Sequence, residues 1–332
     1  MALPASGAIS LSDFNTELGI TAGTTISMND AGVGGLLGLA SGAEASFSDY
    51  YGASSIVDIA LTIAANTNNY NIFSSKGGTY VAGKSNVTLT INSGVSIGST
   101  SASAAALDTG TGWASGDTIT IVNNGTVVGK GGNGGNGATA RLNSSSITSY
   151  TSEIHAGNGE DGGDAFRAQF ATTITNNGTF AGAGGGGGGA ASSHSYSSKF
   201  NSNDVMGGGG GGGGAGTNAG SGGSAGRGKN YWQSNTFYSS NRVATSASSG
   251  TATTGGVGGG SVSSYTGYNL GILAGAGGAL GSAGVAGQAP GVYRGGLVPG
   301  TTNGTGGAAG NYATGNSNIT WSTTGTRIGG VS

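Results

Sequence analysis

Thr120-Ile121-Val122-Asn123-Asn124-Gly125-Thr126-Val127-Val128-Gly129, residues 120–129, is the stretch on which the reading of the fold turns. A β-branched run enters an Asn-Asn-Gly corner, and a second short β-branched run leaves it and closes on glycine. Asn and Gly tolerate the positive φ of a tight corner, and β-branched residues suit a pleated strand. The unit recurs at 89–98 (Leu89-Thr90-Ile91-Asn92-Ser93-Gly94-Val95-Ser96-Ile97-Gly98), at 173–182 and at 319–329. A strand of the same texture, Ile56-Val57-Asp58-Ile59-Ala60-Leu61-Thr62-Ile63, precedes the first copy. Such units cannot bury a face alone and must stack, as the rungs of a β-solenoid do. Corner glycines fall at Gly94, Gly125, Gly178 and Gly325, so successive spacings are 31, 53 and 147 residues. The rungs are therefore expected to form a scaffold, and the lengthening insertions what it displays.

The insertions alternate two textures. Glycine-rich runs occupy 131–137, 182–189, 207–228, 255–260, 275–287 and 304–310, and polar, aromatic segments lie between them. Gly makes up 76 of 332 residues and Pro only 3, which excludes collagen and proline-rich linkers. One way to order such runs is a bundle of polyproline-II-like helices, three residues per turn. Only glycine lets them approach closely enough to pair N–H and C=O groups between neighbours. A flexible linker is the alternative; six runs that return between loops favour the bundle.

Charged residues are 7% of the chain and the net charge is −2. Eleven Lys and Arg form no basic stripe, so neither a nucleic acid nor an anionic membrane surface is expected as a partner. No apolar run reaches the length of a membrane span. The first residues lack the basic and apolar regions of a secretory signal. With no Cys there is no disulfide and no thiolate metal site, and no cofactor is expected.

Residues 1–54 read as a separate module. Ser10-Leu11-Ser12-Asp13, Ser27-Met28-Asn29-Asp30 and Ser46-Phe47-Ser48-Asp49 repeat the pattern Ser-apolar-Ser/Asn-Asp. Each precedes a short helical segment, at 14–18, at 31–37 and at 50–51. Ser, Asn and Asp oxygens accept the free N–H groups of a helix's first turn, and the apolar residue ahead of the cap is expected to staple back onto its helix. The remaining chain divides into β rungs at 55–130, a glycine-rich region at 131–316 and closing strands at 317–332.

Three motifs look chemical. Gly78-Thr79-Tyr80-Val81-Ala82-Gly83-Lys84-Ser85 matches the phosphate-cradling loop, but a strand follows where that chemistry needs a helix. Gly222-Gly223-Ser224-Ala225-Gly226 spells a nucleophile elbow inside plain glycine sequence, with only His155 and His194 as bases. Asn158, Glu160, Asp161 and Asp164 offer oxygens that suit Ca²⁺, against which stands a solvated turn. Paired carboxylates of a polysaccharide-cleaving enzyme are missing from the rung repeats. Ice binding needs regular small-residue arrays without projecting loops. The chain is read as non-enzymatic.

Tyr196, Phe200, Tyr231, Trp232, Phe237, Tyr238, Arg242, Tyr265, Tyr268 and Tyr293 are the candidate binding residues. They lie among Ser, Asn and Gly, and stiff aromatics with a polar tip dominate binding hot spots in that company.

Runs such as 184–189 and 207–214, interrupted by Tyr/Ser/Asn loops, give residues 130–310 a pattern that resembles the glycine-rich tail-fibre adhesins of T-even-like bacteriophages. The resemblance implies a sandwich of polyglycine helices whose loops carry specificity. The partner it implies is a host cell-surface receptor, an outer-membrane protein or a glycan. It also implies a place in the virion at a tail tip or fibre, after assembly in the host cytoplasm, with 1–54 contacting other phage tail proteins. A monomeric tip and a homotrimer both remain open, and a purely structural fibre component is the competing reading.

Overall fold

The computed structural model describes residues 3–37, 39, 43–53, 55–142, 150–197, 202–229, 242–265, 268–288, 295–297 and 301–332. The architecture is mainly β with few helices. Three five-stranded sheets are wholly parallel, and each circuit of the chain adds one strand to each of them. The long sheet holds Val57–Ile63, Ser85–Ile91, Thr118–Asn123, Thr172–Asn176 and Ile319–Thr323 in that order. The second is built from Thr67–Asn68, Ser96–Gly98, Thr126–Val128, Thr179–Ala181 and Thr326–Ile328. The third takes two- to four-residue strands, Tyr70–Asn71, Leu107–Asp108, Phe166–Arg167, Asn311–Thr314 and Gly330–Val331.

Register aligns like residues from rung to rung. Leu61, Leu89, Ile121, Ile174 and Trp321 form one column, and Ile97, Val127 and Phe180 another. With Leu107 and Phe166 from the third sheet they make one core, against which Leu61 and Trp321 of the two end rungs pack partly buried. Each such side chain, fully buried, contributes about 1.5–3 kcal/mol. At the corners, the Asn123 amide donates to Asn176 Oδ1 at 2.9 Å, and the Asn176 amide to the Thr324 carbonyl at 2.8 Å. This asparagine ladder satisfies polar groups that the stacked corners bury. Gly94 and Gly325 adopt the expected positive φ, of 77° and 48°. At Gly178 the need for glycine is close approach instead, because a Cβ there would overlap the Gly125 carbonyl oxygen.

Two rungs are interrupted, both between their second and third strands. One departure runs from Val128 to Phe166 and the other from Ala181 to Asn311. The glycine-rich material leaves one side of the stack through these two gaps. Its runs hold together by lateral backbone bonds at three-residue intervals: Gly132, Gly135 and Ala138 donate to Gly184, Gly187 and Ala190 at 2.9–3.0 Å. Gly214, Gly211 and Gly208 donate to Gly132, Gly135 and Ala138 at 2.8–2.9 Å.

The first fifty residues have their own core of Leu3, Phe14, Ile26, Val33 and Tyr50. Helices occupy Leu11–Glu17 and Ala31–Gly35, and a 3-10 turn Phe47–Tyr50. Two of them start earlier than expected. Ser10 and Ser46 are the N-caps, each in a capping box with the Asp three residues on. Leu11 and Phe47 therefore lie inside the first turn rather than ahead of the cap, 42% and 44% exposed, and the Phe47 ring also meets Phe14 edge to face at 5.9 Å.

The phosphate-loop look-alike joins this module to the rungs. Lys84 Nζ donates to the Glu17 carbonyl and to Ser55 Oγ, both at 3.0 Å. The Ser55 N–H donates to Glu17 Oε1 at 2.6 Å. Burial pushes the Glu17 carboxyl up, but hydrogen bonds and nearby positive charge, with the Ser55 N–H foremost among them, hold it below its ordinary value.

Candidate functional site

The five polar insertions are rooted at one end of the glycine layer. Ser192 Oγ donates to the Ala138 carbonyl at 2.9 Å, and Thr301 Oγ1 to the Ser192 carbonyl at 3.2 Å. The Arg227 N–H reaches Thr139 Oγ1 at 3.1 Å, so a fourth root joins the same level. Thr245 and Gly260 exchange bonds at the base of the next hairpin, and the Gln288 N–H donates to Leu273 at the base of the last insertion.

Beyond these roots the insertions pair with one another. Thr139–Leu142, Tyr150–Ile154, Arg227–Lys229 and Arg242–Val243 form a four-stranded sheet from two different insertions. Ser193–Ser197 and Ser202–Met206 form a hairpin that takes Gly295–Leu297, from a third, as an added strand. Ser202–Met206 also lies against Thr139–Leu142 and Arg227–Lys229, which brings the two sheets together. Gly260–Tyr265 and Tyr268–Leu273 make a separate hairpin. Strand pairing between insertions fixes them by backbone hydrogen bonds, so a rigid base carries their tips.

Tyr196 falls in the middle of Ser193–Ser197, opposite Asn203. Arg242 opens the strand paired with Arg227–Lys229, opposite Gly228. Tyr265 and Tyr268 are register partners at the tip of their hairpin. Phe200, Tyr231, Trp232, Phe237, Tyr238 and Tyr293 lie outside the described residues.

Sequence reasoning missed a second aromatic group, on the flank of the rungs. Phe73, Tyr80 and Trp113 meet edge to face with centroids 5.0–5.8 Å apart, and Lys76 Nζ sits 3.6 Å over the Phe73 ring. Their polar atoms are used internally. Trp113 Nε1 donates to the Thr109 carbonyl at 2.9 Å and the Tyr80 hydroxyl to Asp117 at 2.6 Å. Burial raises the Tyr80 phenol, and the Asp117 carboxylate adds to that. Burial alone would raise Asp117, but donors from Tyr80, Ala114, Ser85 and Gly83 hold it below its ordinary value. This cluster seals the stack rather than offering free binding atoms.

The acidic stretch is also engaged. Asn158, Asp161 and Asp164 Oδ1 each accept a backbone N–H from the run 303–311, and Glu160 Oε2 accepts the Asn133 amide at 2.7 Å. Among the described residues no three His, Asp or Glu side chains gather to hold a metal ion. Ser224, of the nucleophile-elbow spelling, is exposed; its N–H donates to Asn136. Among the described residues no helix is long and apolar enough to cross a membrane.

No curated protein matches this chain. Among solved structures it is similar to a chain of the gp37-gp38 adhesin tip complex of the bacteriophage S16 long tail fibre. Identity is 18% and the TM-score 0.44, over 99% of this chain and 100% of that one. A family model described as phage tail fibre adhesin Gp38 matches residues 58–332, which takes in every rung, glycine run and insertion described above. The chain belongs to the Gp38 family of phage tail fibre adhesins.

Proposed function

We propose that this adhesin recognises its host through the joined insertions at the end of the glycine layer, without catalysis, while residues 1–54 fasten it to the tail fibre. The contact residues proposed are Tyr196, Phe200, Tyr231, Trp232, Phe237, Tyr238, Arg242, Tyr265, Tyr268 and Tyr293. The observation that carries this reading is the convergence of all five insertions on one end, four of them paired strand to strand with another. A near-neutral surface rich in Tyr, Trp, Ser and Asn suits an outer-membrane protein or a surface glycan, recognised by stacking and hydrogen bonds.

The scaffold is read as a β-solenoid whose side carries a polyglycine-helix bundle. Bond direction supports the helical reading. Along one run, Gly184, Gly185 and Gly186 donate to Ala215, Ser282 and Glu160, on three different neighbours. Gly187, Gly188 and Gly189 then return to the same three runs, at Gly212, Val285 and Gly157. A turn every three residues without bonds inside the run is the polyproline-II pattern.

For fibre attachment, the support is that Leu11 and Phe47 occupy equivalent exposed positions of the repeated capping motif. Exposed apolar side chains on a small module mark a contact surface.

The test is deletion of 230–241 in the virion, closed by a short glycine turn. Adsorption to host cells should be lost while the thermal unfolding of the purified protein stays unchanged. Unaltered adsorption after deletion of each insertion in turn would refute the reading.

A further inference from the structure

Five Asx residues on the outer glycine runs make the same two-point contact. Asn133 Oδ1 accepts the Ser221 N–H at 2.9 Å, while the next N–H, of Gly134, donates to the Ser221 carbonyl at 2.9 Å. Asn136 and Gly137 grip Ser224 in this way, with both bonds at 2.9 Å. Asn158 and Gly159 hold Thr305 at 2.9 and 2.8 Å, and Asp161 and Gly162 hold Ala308 at 2.7 and 2.9 Å. Asp164 and Ala165 close the series on Asn311 at 2.7 and 2.9 Å. In every case one dipeptide satisfies both backbone groups of a single residue on the neighbouring run.

Four of these five dipeptides are Asn-Gly or Asp-Gly, the pairs in which glycine leaves the chemistry least hindered. In that reaction the glycine backbone nitrogen attacks Cγ of the Asx side chain. A C–N bond closes a five-membered imide, and ammonia leaves from Asn or water from Asp. Water then opens the ring to aspartate or isoaspartate. The attack needs a free glycine N–H and a side chain turned back over its own backbone. The two-point contact denies both, since the N–H is donated to a carbonyl and Oδ1 is tied sideways to another run.

We propose that these Asx-glycine clamps protect the adhesin against spontaneous deamidation and isomerisation. The need follows from the composition: a glycine lattice puts its edge-stapling Asn residues next to glycine. The corner pairs are guarded similarly. Gly125 and Gly178 N–H donate to Asn123 and Asn176 Oδ1, and Asn177 donates to Asn124 Oδ1. Failure at one clamp would load the next, because Asn133 Nδ2 also donates to Glu160 Oε2 at 2.7 Å. A carboxylate formed at residue 133 would face that carboxylate instead.

The test uses the full-length protein held in mildly alkaline buffer, with peptide mapping by mass spectrometry. The informative variant is Thr305→Pro, which removes the N–H that Asn158 accepts and puts the ring Cδ in its place, turning the Asn158 side chain off the neighbouring run. Asn158 should then deamidate at least about tenfold faster than in the parent, the rate expected when about 1.4 kcal/mol of local opening cost is lost. Asn133 and Asn136 in the same molecule should keep the parent rate. Ser221→Pro is the second variant, and should move the lability to Asn133 alone. Should either variant fail to fold, the parent is compared with itself in concentrated urea, where Asn133, Asn136 and Asn158 should all react much faster. Equal rates in the native and urea-unfolded parent, or an Asn158 that keeps its parent rate in folded Thr305→Pro, would overturn the proposal.

Discussion

Replacing Gly186 by alanine tests the glycine layer at a crowded point. The added Cβ would overlap the Asn133 carbonyl oxygen, which belongs to backbone and cannot swing aside. Room appears only if the run 182–189 moves away from its neighbours. The Gly186 N–H donates to Glu160 and its carbonyl accepts from Gly307, both at 2.8 Å, so the same movement strains two lateral bonds. Overpacking of this kind costs about 1–3 kcal/mol, and each weakened bond about 0.5–1.5 kcal/mol. Alanine returns about 0.4–1 kcal/mol by restricting the unfolded chain. Steric cost wins, and the net loss should be about 1–6 kcal/mol. Urea denaturation followed by circular dichroism measures it. Thr305→Ala is the control: the site is exposed and its side chain carries none of the lateral bonds, so the change should stay within about 0.5 kcal/mol. A Gly186→Ala protein as stable as Thr305→Ala would refute the close-packed account of these runs.

Two further outcomes follow from the rungs and the first module. Because Asp117 is held below its ordinary carboxylate value, its contribution is present at neutral pH and is lost as pH falls through that lowered value. Tyr80→Phe removes one of its donors, so the stability gap between parent and variant should be widest near neutrality and close below about pH 4. A gap independent of pH would contradict the assignment, and denaturation midpoints across that range measure it. Leu11→Ser should leave stability within about 0.5 kcal/mol, since that side chain faces solvent, whereas Phe47→Ser also gives up the edge-to-face contact with Phe14 and should cost about 0.5–1.5 kcal/mol more. The same pair should abolish co-purification with the fibre protein, and retained co-purification would remove residues 1–54 as the attachment surface.

The stacked rungs were legible because β-branched alternation and Asn-Asn-Gly corners recur in the sequence with little change. Their first member, Val57–Ile63, was visible as a strand but not as a full rung, since its corner lacks that signature. The third sheet was not legible at all. Leu107–Asp108 and Phe166–Arg167 are too short to show a period, and they are assigned only by partners many residues away. Capping residues are legible in the first module, but the pattern places the helix starts at 14 and 50, whereas the turns begin at Leu11 and Phe47 behind the caps Ser10 and Ser46. Both residue types satisfy a free N–H, so spacing alone did not separate the two frames.

Glycine runs announced their own existence but not their neighbours, because lateral backbone bonds leave no side-chain trace. Only the Asx residues at 133, 136, 158, 161 and 164 carry a readable three-residue spacing, and at 158–164 the sequence alone offers the oxygens either as Ca²⁺ ligands or as a solvated turn. Tyr265 and Tyr268 were picked from composition, and their position opposite each other at a hairpin tip came only from strand register.

The central claim is that the insertions bind and the glycine layer holds them. Its most direct measurement is binding of the purified protein to intact host cells after Tyr265 and Tyr268 are both changed to Ser, and separately after Trp232 and Tyr238 are. At least one pair should lower affinity by about tenfold or more, as loss of an aromatic hot spot does, with the unfolding midpoint unchanged. Full affinity in both variants, alongside loss of binding on changing exposed residues of the rungs, would contradict it.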